Sequence, residues 1–195
     1  ILVMVEAGSK YETKEINGLS HFLEHMCFKG TVKRPKAIDL AGELDGIGAE
    51  YNAFTGHEWT GYFVKVEAAK AEQALEIISD LYLNPVFDPN EIEKEKGVVI
   101  EEINMYEDTP MRKVGDLFTN LLYGDQPAGW DIAGSKEVIR SITKSDFLKY
   151  RGAHYVAKAT AIIVAGAFDP DAFASHVEKH FTTLKVGDKA GKVPT

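Results

Sequence analysis

The chain is poor in cysteine, in long apolar stretches and in positive charge, and each shortage removes a class of protein. Its single cysteine, Cys27, has no partner for an internal disulfide and cannot build a cysteine-rich zinc cluster, so any metal must be held by histidine and carboxylate. One lone thiol fits a reducing compartment, and the cytoplasm is the expected location. No apolar run approaches the roughly 20 residues of a membrane-spanning helix; runs such as Ile1–Val5 have strand length, and no membrane partner is expected. Against 30 Asp+Glu stand only 22 Lys+Arg, giving a net charge of −8, the wrong sign for a sequence-independent hold on phosphate backbones. Nucleic acid is therefore not an expected partner. Internal repeats and low-complexity tracts are absent as well.

What is present suffices for a packed core: 195 residues, 45% of them hydrophobic. The chain opens inside an apolar run without an initiator Met, so the first strand is expected to be truncated. Periodicity predicts a strand at 1–7, a helix at 17–28 and a second helix after Pro35 with Ala37, Ile38, Leu40, Ala41 and Leu44 on one stripe. A hairpin of strands at 48–55 and 58–67 follows, then a helix at 71–82 and another from Pro89 to about 107, opened by Asp88 as N-cap. Beyond Pro110 come a helix to about Leu122, two short helices, the second opened by Thr143-Lys-Ser-Asp146, a buried strand at Thr160–Ala165 and a helix after Asp169-Pro170. Hairpin strands followed by a helical block make an α+β order rather than a regular βαβ alternation.

The chemistry lies on the first helix. His21 and His25 are four residues apart, so both imidazoles leave one helical face about a turn from each other, a geometry that suits two ligands of one zinc. Glu24 lies near the same face, where a general base for hydrolysis must sit to reach a metal-bound water. Histidine–glutamate–histidine in this order is the inverted zincin motif. A catalytic zinc needs a third protein ligand. In the helix from Pro89, the apolar positions Ile92, Val99, Ile103 and Tyr106 define an inner stripe that also carries Glu95 and Glu102, while Glu93, Lys94 and Glu101 point away. A buried carboxylate needs a cation. Glu102 is thus the expected third ligand, with Glu95 accepting a hydrogen bond from a ligand imidazole.

The segment Gly18-Leu-Ser-His21-Phe-Leu-Glu24-His25-Met-Cys-Phe-Lys-Gly-Thr31, with Glu102 lying 77 residues beyond His25, resembles the pitrilysin-type zinc metallopeptidases. That group includes insulin-degrading enzyme, the mitochondrial processing peptidase and its bacterial relatives, and Phe28-Lys-Gly-Thr31 looks closest to the processing-peptidase-like branch. The likeness runs through Asn52-Ala-Phe-Thr55, Glu95-Lys-Gly-Val-Val-Ile-Glu-Glu102 and the closing strand and helix. It implies an α+β domain whose mixed, largely antiparallel sheet is covered by helices on one side. It implies one Zn2+ held by His21, His25 and Glu102, with Glu24 as base and Glu95 as supporting acid. The implied activity is a zinc-dependent endopeptidase acting on peptides or unfolded protein segments, which lie extended beside an edge strand. The matching strand here places Asn52 and Ala53 as substrate contacts. Such enzymes complete their chamber with a second homologous half or partner chain. On this reading residues 1–185 form the N-terminal catalytic domain and 186–195 a linker toward that half.

Two other functions use the same residues. A non-catalytic structural subunit of this fold would not require Glu24. A zinc or iron storage or sensing module would need a fourth ligand, for which His57 is the nearby candidate. The remaining conspicuous residues read as structure: Cys27 as a packed small hydrophobe, Trp59, Tyr62 and Phe63 as hairpin packing, Lys33-Arg34-Pro-Lys36 as a solvated loop. His154, His176 and His180 are assigned no role.

Overall fold

The alternation of Leu2–Val5 is resolved by its place in the sheet. In the computed structural model, which describes residues 1–193, this strand (β1) lies between β3 (Thr60–Lys65) and β4 (Thr160–Ile163), with β2 (Glu50–Thr55) outermost beside β3. Every pairing of this four-stranded sheet is antiparallel; Val3 stands opposite both Tyr62 and Ile162, and Tyr62 opposite Ala53. One face buries Val3, Val5, Tyr62 and Val64. The other leaves Phe54 and Ile163 exposed.

The helices pack on the first of these faces. α1 (Leu19–Cys27) lies against β2 and β3 and buries seven of its nine residues, so the helix with both histidines is the centre of the core rather than a surface element. α2 (Ala37–Gly46) covers β2, and α3 (Ala71–Leu83) packs on β3 and on the last helix, α8 (Pro170–Phe181). α4 (Pro89–Glu107) starts where Asp88 accepts hydrogen bonds from the Asn90 and Glu91 N–H groups, and it runs beside α1. Its buried residues are Ile92, Glu95, Val99 and Ile103, while Glu93, Lys94 and Glu101 face solvent, as the inner stripe requires. α6 (Lys136–Ser141) and α7 (Lys144–His154) complete the layer, α7 opening with the Thr143–Asp146 capping box.

α5 (Pro110–Tyr123) reverses the usual arrangement of an amphipathic helix. None of its residues is buried. Met111, Val114, Leu117, Phe118, Leu121 and Leu122 form one exposed apolar stripe, with Met111 at 90% exposure. At about 100° per residue, Arg112, Asp116 and Thr119 leave the opposite side, and these line the main cavity of the domain.

Several expectations are corrected. Residues 160–165 do not form a buried strand: β4 is shorter, it is a sheet edge, and its burial alternates. An apolar run by itself does not separate an edge strand from a central one. Ala37 and Ile38 leave the α2 stripe and Trp59 the hairpin core; all three are exposed. Arg34 is not part of a solvated loop. Its guanidinium is buried and grips Asp80 at 2.8 Å, Glu43 at 2.7 Å and Glu76 at 2.5 Å, tying the α1–α2 connection to α2 and α3. Removing one partner of such a buried cluster leaves uncompensated charge. Arg34→Met is therefore expected to destabilise the fold by about 3–5 kcal/mol, read as a lowered urea midpoint; an unchanged midpoint contradicts this role. His176 pairs with Glu72 of α3 at 3.0 Å, a contact across elements that its own helix does not announce. The expected linker 186–195 is described as far as residue 193, and its last two residues lie outside the described residues.

Candidate active site

α1 begins without a side-chain cap of its own. Gly18 occupies the N-cap with φ 99°, a left-handed conformation natural to glycine, and a Cβ there would come within 2.5 Å of the Ala133 carbonyl. The orphan N–H groups of the first turn are met instead by Glu12, a fully buried carboxylate. It accepts from Gly18 N at 2.8 Å, Ser20 N at 2.6 Å and Asn17 Nδ2 at 3.0 Å. Burial pushes this carboxyl up, against those hydrogen bonds and the field of the helix end. Asn17 Nδ2 also donates to the Asp131 carbonyl at 3.2 Å, and Ser20 Oγ meets Tyr150 Oη at 2.7 Å. The helix is thereby fixed at its start in both direction and rotation.

That rotation aims His21 and His25 at α4. His21 Nε2 and His25 Nε2 lie 3.3 Å apart, His25 Nε2 and Glu102 Oε2 3.3 Å, and His21 Nε2 and Glu102 Oε2 3.5 Å. The three atoms form a nearly equilateral triangle and are the one group of histidine, cysteine and acidic donors among the described residues that converge closely enough to hold a metal. A tetrahedral ion with donors at about 2.0–2.1 Å has edges of about 3.3–3.4 Å, so two imidazole nitrogens and one carboxylate oxygen in this arrangement fit three corners around zinc. Behind them, His25 Nδ1 donates to Glu95 Oε1 at 2.9 Å, and Lys29 Nζ holds Glu95 Oε2 at 2.6 Å. Tyr106 donates its hydroxyl to Glu102, and the Arg112 guanidinium lies 3.4 Å over the Tyr106 ring. His21 Nδ1 is buried without a hydrogen-bond partner among the described residues.

The electrostatics follow from this packing. Burial opposes a charge on His25, but its hydrogen bonds with Glu102 and Glu95 outweigh that and lift it to about 9. His21 is pulled down to about 4 by burial and then by the His25 charge. The hydrogen bond from His25 holds Glu102 down at about 2. Glu24 stands outside the triangle. Its Oε2 accepts from Thr55 Oγ1 at 2.5 Å, and burial raises its carboxyl above the ordinary range.

His21, Glu24, His25 and Glu102 all open on one cavity of about 480 Å³, whose other walls include Asn52, Ala53, Phe54, Thr55, His57 and the cavity side of α5. β2 is the outermost strand, so one edge of Asn52–Thr55 borders this space without a partner strand among the described residues. Asn52 Oδ1 accepts from the Ala53 N–H at 2.9 Å. The chain thus brings His21, His25, Glu102 and Glu24 together, sets Glu95 directly behind His25, and places Asn52 and Ala53 on the cavity's strand wall. His57 also faces the cavity, but its Nδ1 is engaged by Ser9 Oγ at 2.8 Å and it is not part of the triangle.

The sequence model of the insulinase family (peptidase family M16) matches residues 1–136. The chain belongs to peptidase family M16. It is 40% identical over 194 residues to a zinc protease of Rickettsia felis, covering 100% of this chain and 47% of that one. To a zinc protease of Bacillus subtilis it is 42% identical over 188 residues, with coverage of 96% and 46%. It is 37% identical to the beta subunit of the mitochondrial-processing peptidase of Caenorhabditis elegans, with coverage of 96% and 41%. Among solved structures, a protease from Helicobacter pylori superposes with a TM-score of 0.90 at 28% identity, covering 100% of this chain and 46% of that chain. The chain spans about half the length of the relatives it matches. An M16 domain from Pseudomonas fluorescens described as inactive shares the fold at a TM-score of 0.89 and 17% identity, covering 99% of this chain and 47% of that one, so in family M16 the fold alone does not carry activity.

Several residues of this M16 site escape a sequence reading. Glu12 had one usable signal: a core helix that starts at Gly18 with no Ser, Thr, Asp or Asn at its N-cap must find its cap elsewhere. Thr55 on Glu24 and Arg112 on Tyr106 had none, because each contact joins segments that only the tertiary fold brings together.

Proposed function

We propose that this chain is the zinc-bearing half of a metalloendopeptidase that hydrolyses peptides or unfolded protein segments. The observation that carries this reading is the triangle of His21 Nε2, His25 Nε2 and Glu102 Oε2, with edges of 3.3, 3.3 and 3.5 Å, opening on a cavity that also holds the separate carboxylate of Glu24. On this proposal His21, His25 and Glu102 hold one zinc ion, which supplies Lewis acidity and makes a water molecule acidic near neutral pH.

The remaining chemistry falls to the chain's own groups. Glu24, anchored at one oxygen by Thr55, takes a proton from the attacking water at its other oxygen and returns it to the leaving amine. Glu95 keeps the His25 ring in register through Nδ1. The substrate lies extended along the free edge of β2, its main chain pairing at Asn52 and Ala53 once the Asn52 side chain has swung off the Ala53 N–H. Within the chain, residues 1–185 make up the peptidase domain, and a second half of similar fold closes the cavity.

The test is to load the chain with zinc, count the metal and follow cleavage of an unstructured peptide before and after chelation. One zinc per chain and cleavage that chelator removes and zinc restores is the expected result. Failure to hold stoichiometric zinc overturns the proposal. One bound zinc without cleavage instead favours a metal-bearing subunit that acts only with its other half.

A further inference from the structure

The β2–β3 turn is clamped from outside by residues 8–10, and the clamp fixes one imidazole that the triangle does not use. Lys10 N donates to the His57 carbonyl at 2.8 Å, and Lys10 Nζ pairs with Glu58 at 2.9 Å. At Gly8 the two backbones touch: a Cβ there would lie 2.3 Å from the Gly56 carbonyl oxygen. The His57 ring is held as well, by Ser9 Oγ at Nδ1. Ser9 is fully buried, and this is its hydroxyl's one hydrogen bond among the described residues. A buried hydroxyl that found no acceptor would be left with an unsatisfied donor, so the Ser9 proton goes to Nδ1 and the imidazole keeps its own proton on Nε2. Nε2 has no partner among the described residues and is not sealed away, while His57 lines the cavity. The result is an N–H donor held in place on a cavity-lining residue just after β2, two residues beyond the threonine that holds Glu24.

We infer that His57 is a substrate-binding residue whose Nε2–H donates to an acceptor oxygen of the bound peptide, a main-chain carbonyl or a side-chain carboxylate beside the bond to be cut. An extended peptide that pairs with β2 and crosses Glu24 next meets this donor, and rigid placement lets the hydrogen bond form without ordering the ring on binding. Burial first, and Lys10 second, push the imidazole below its ordinary range, while Asp116, Glu58 and Asp131 pull the other way; on the neutral ring, Ser9 sets which nitrogen carries the proton. The inference rests on the peptide reading above.

Its test uses the zinc-loaded chain in a Glu24→Gln background, where peptide binds without being cut and Trp130, in the cavity wall, reports binding by fluorescence. His57→Ala is expected to weaken binding about fivefold, the effect of one neutral hydrogen bond, and His57→Gln, whose amide nitrogen sits near the lost Nε2, to restore it within about twofold. Peptides carrying Glu or Leu beside the cleavage point separate the two oxygens, because leucine has no side-chain acceptor: an equal loss for both assigns the main-chain carbonyl, a loss confined to Glu the carboxylate. Nitrogen NMR of the ring should show the proton on Nε2, and Ser9→Ala should shift it toward Nδ1. Peptide binding indifferent to His57→Ala, or a wild-type ring protonated on Nδ1, overturns this inference and leaves the peptidase reading standing. A chain that takes up zinc but no peptide overturns both.

Discussion

Glu24→Gln is expected to lower peptide hydrolysis about 10³-fold while one zinc per chain stays bound. The substitution keeps the shape of the side chain and an oxygen for the Thr55 hydroxyl, so neither the α1 geometry nor the contact with β2 changes. What disappears is the capacity to accept a proton. Glu24 lies outside the triangle of donor atoms, and its removal takes nothing from the metal. Its burial raises the carboxyl above its ordinary value, which makes the carboxylate a stronger base, and glutamine has no titrating group at all. Paired rate and metal-content measurements on both proteins check this. A variant that keeps more than a tenth of the rate would remove Glu24 from the mechanism, and one that also loses zinc would make Glu24 a ligand.

Zinc affinity is expected to climb about 100-fold between pH 6 and pH 8. In the metal-free chain at neutral pH, His21 is neutral, Glu102 ionised and His25 protonated, because the hydrogen bonds with Glu102 and Glu95 overcome burial and carry His25 to about 9. Zinc must displace that one proton, so each pH unit below 9 weakens binding tenfold. Titration calorimetry in buffers of different ionisation heat should count about one proton released per zinc at pH 7; an affinity flat across this range contradicts the arrangement. The same shifts set the stability of the metal-free chain. The raised His25 contributes fully below 6.5 and loses that contribution as pH rises through 9. The depressed Glu102 contributes fully above 4.5 and loses it as pH falls through 2. His21, depressed to about 4, makes the fold lose stability as pH falls below 6.5. The three together put this cluster's largest contribution near pH 6.5.

These residues were legible in the sequence because their signals are local. Four-residue spacing on one helix and an inner stripe on another are one-dimensional statements of which face looks inward, and α1 and α4 obey them. Element boundaries were legible for the same reason, through Pro89, Pro110, Asp88 and the Thr143 capping box. What was hidden depends on partners far along the chain. The run Lys33-Arg34-Pro-Lys36 looks solvated until Glu76 and Asp80 arrive from α3, more than 40 residues away. Glu12 looks like one more polar loop residue until the first turn of α1 is placed over it. The apolar run at Thr160–Ile163 gives no sign that, among the described residues, no strand pairs with its outer side.

The reversed helix α5 has a consequence of its own for the behaviour of the chain as a colloid. Six large apolar side chains facing water form a sticky stripe on every copy, and stickiness between copies is opposed by like charge. At neutral pH the net charge of −8 supplies that repulsion. Near the isoelectric point of about 5.3 it vanishes while the stripe remains. Clustering of copies through this helix is therefore expected to set in at lower concentration as pH falls from 7 toward 5.3, with the core still folded.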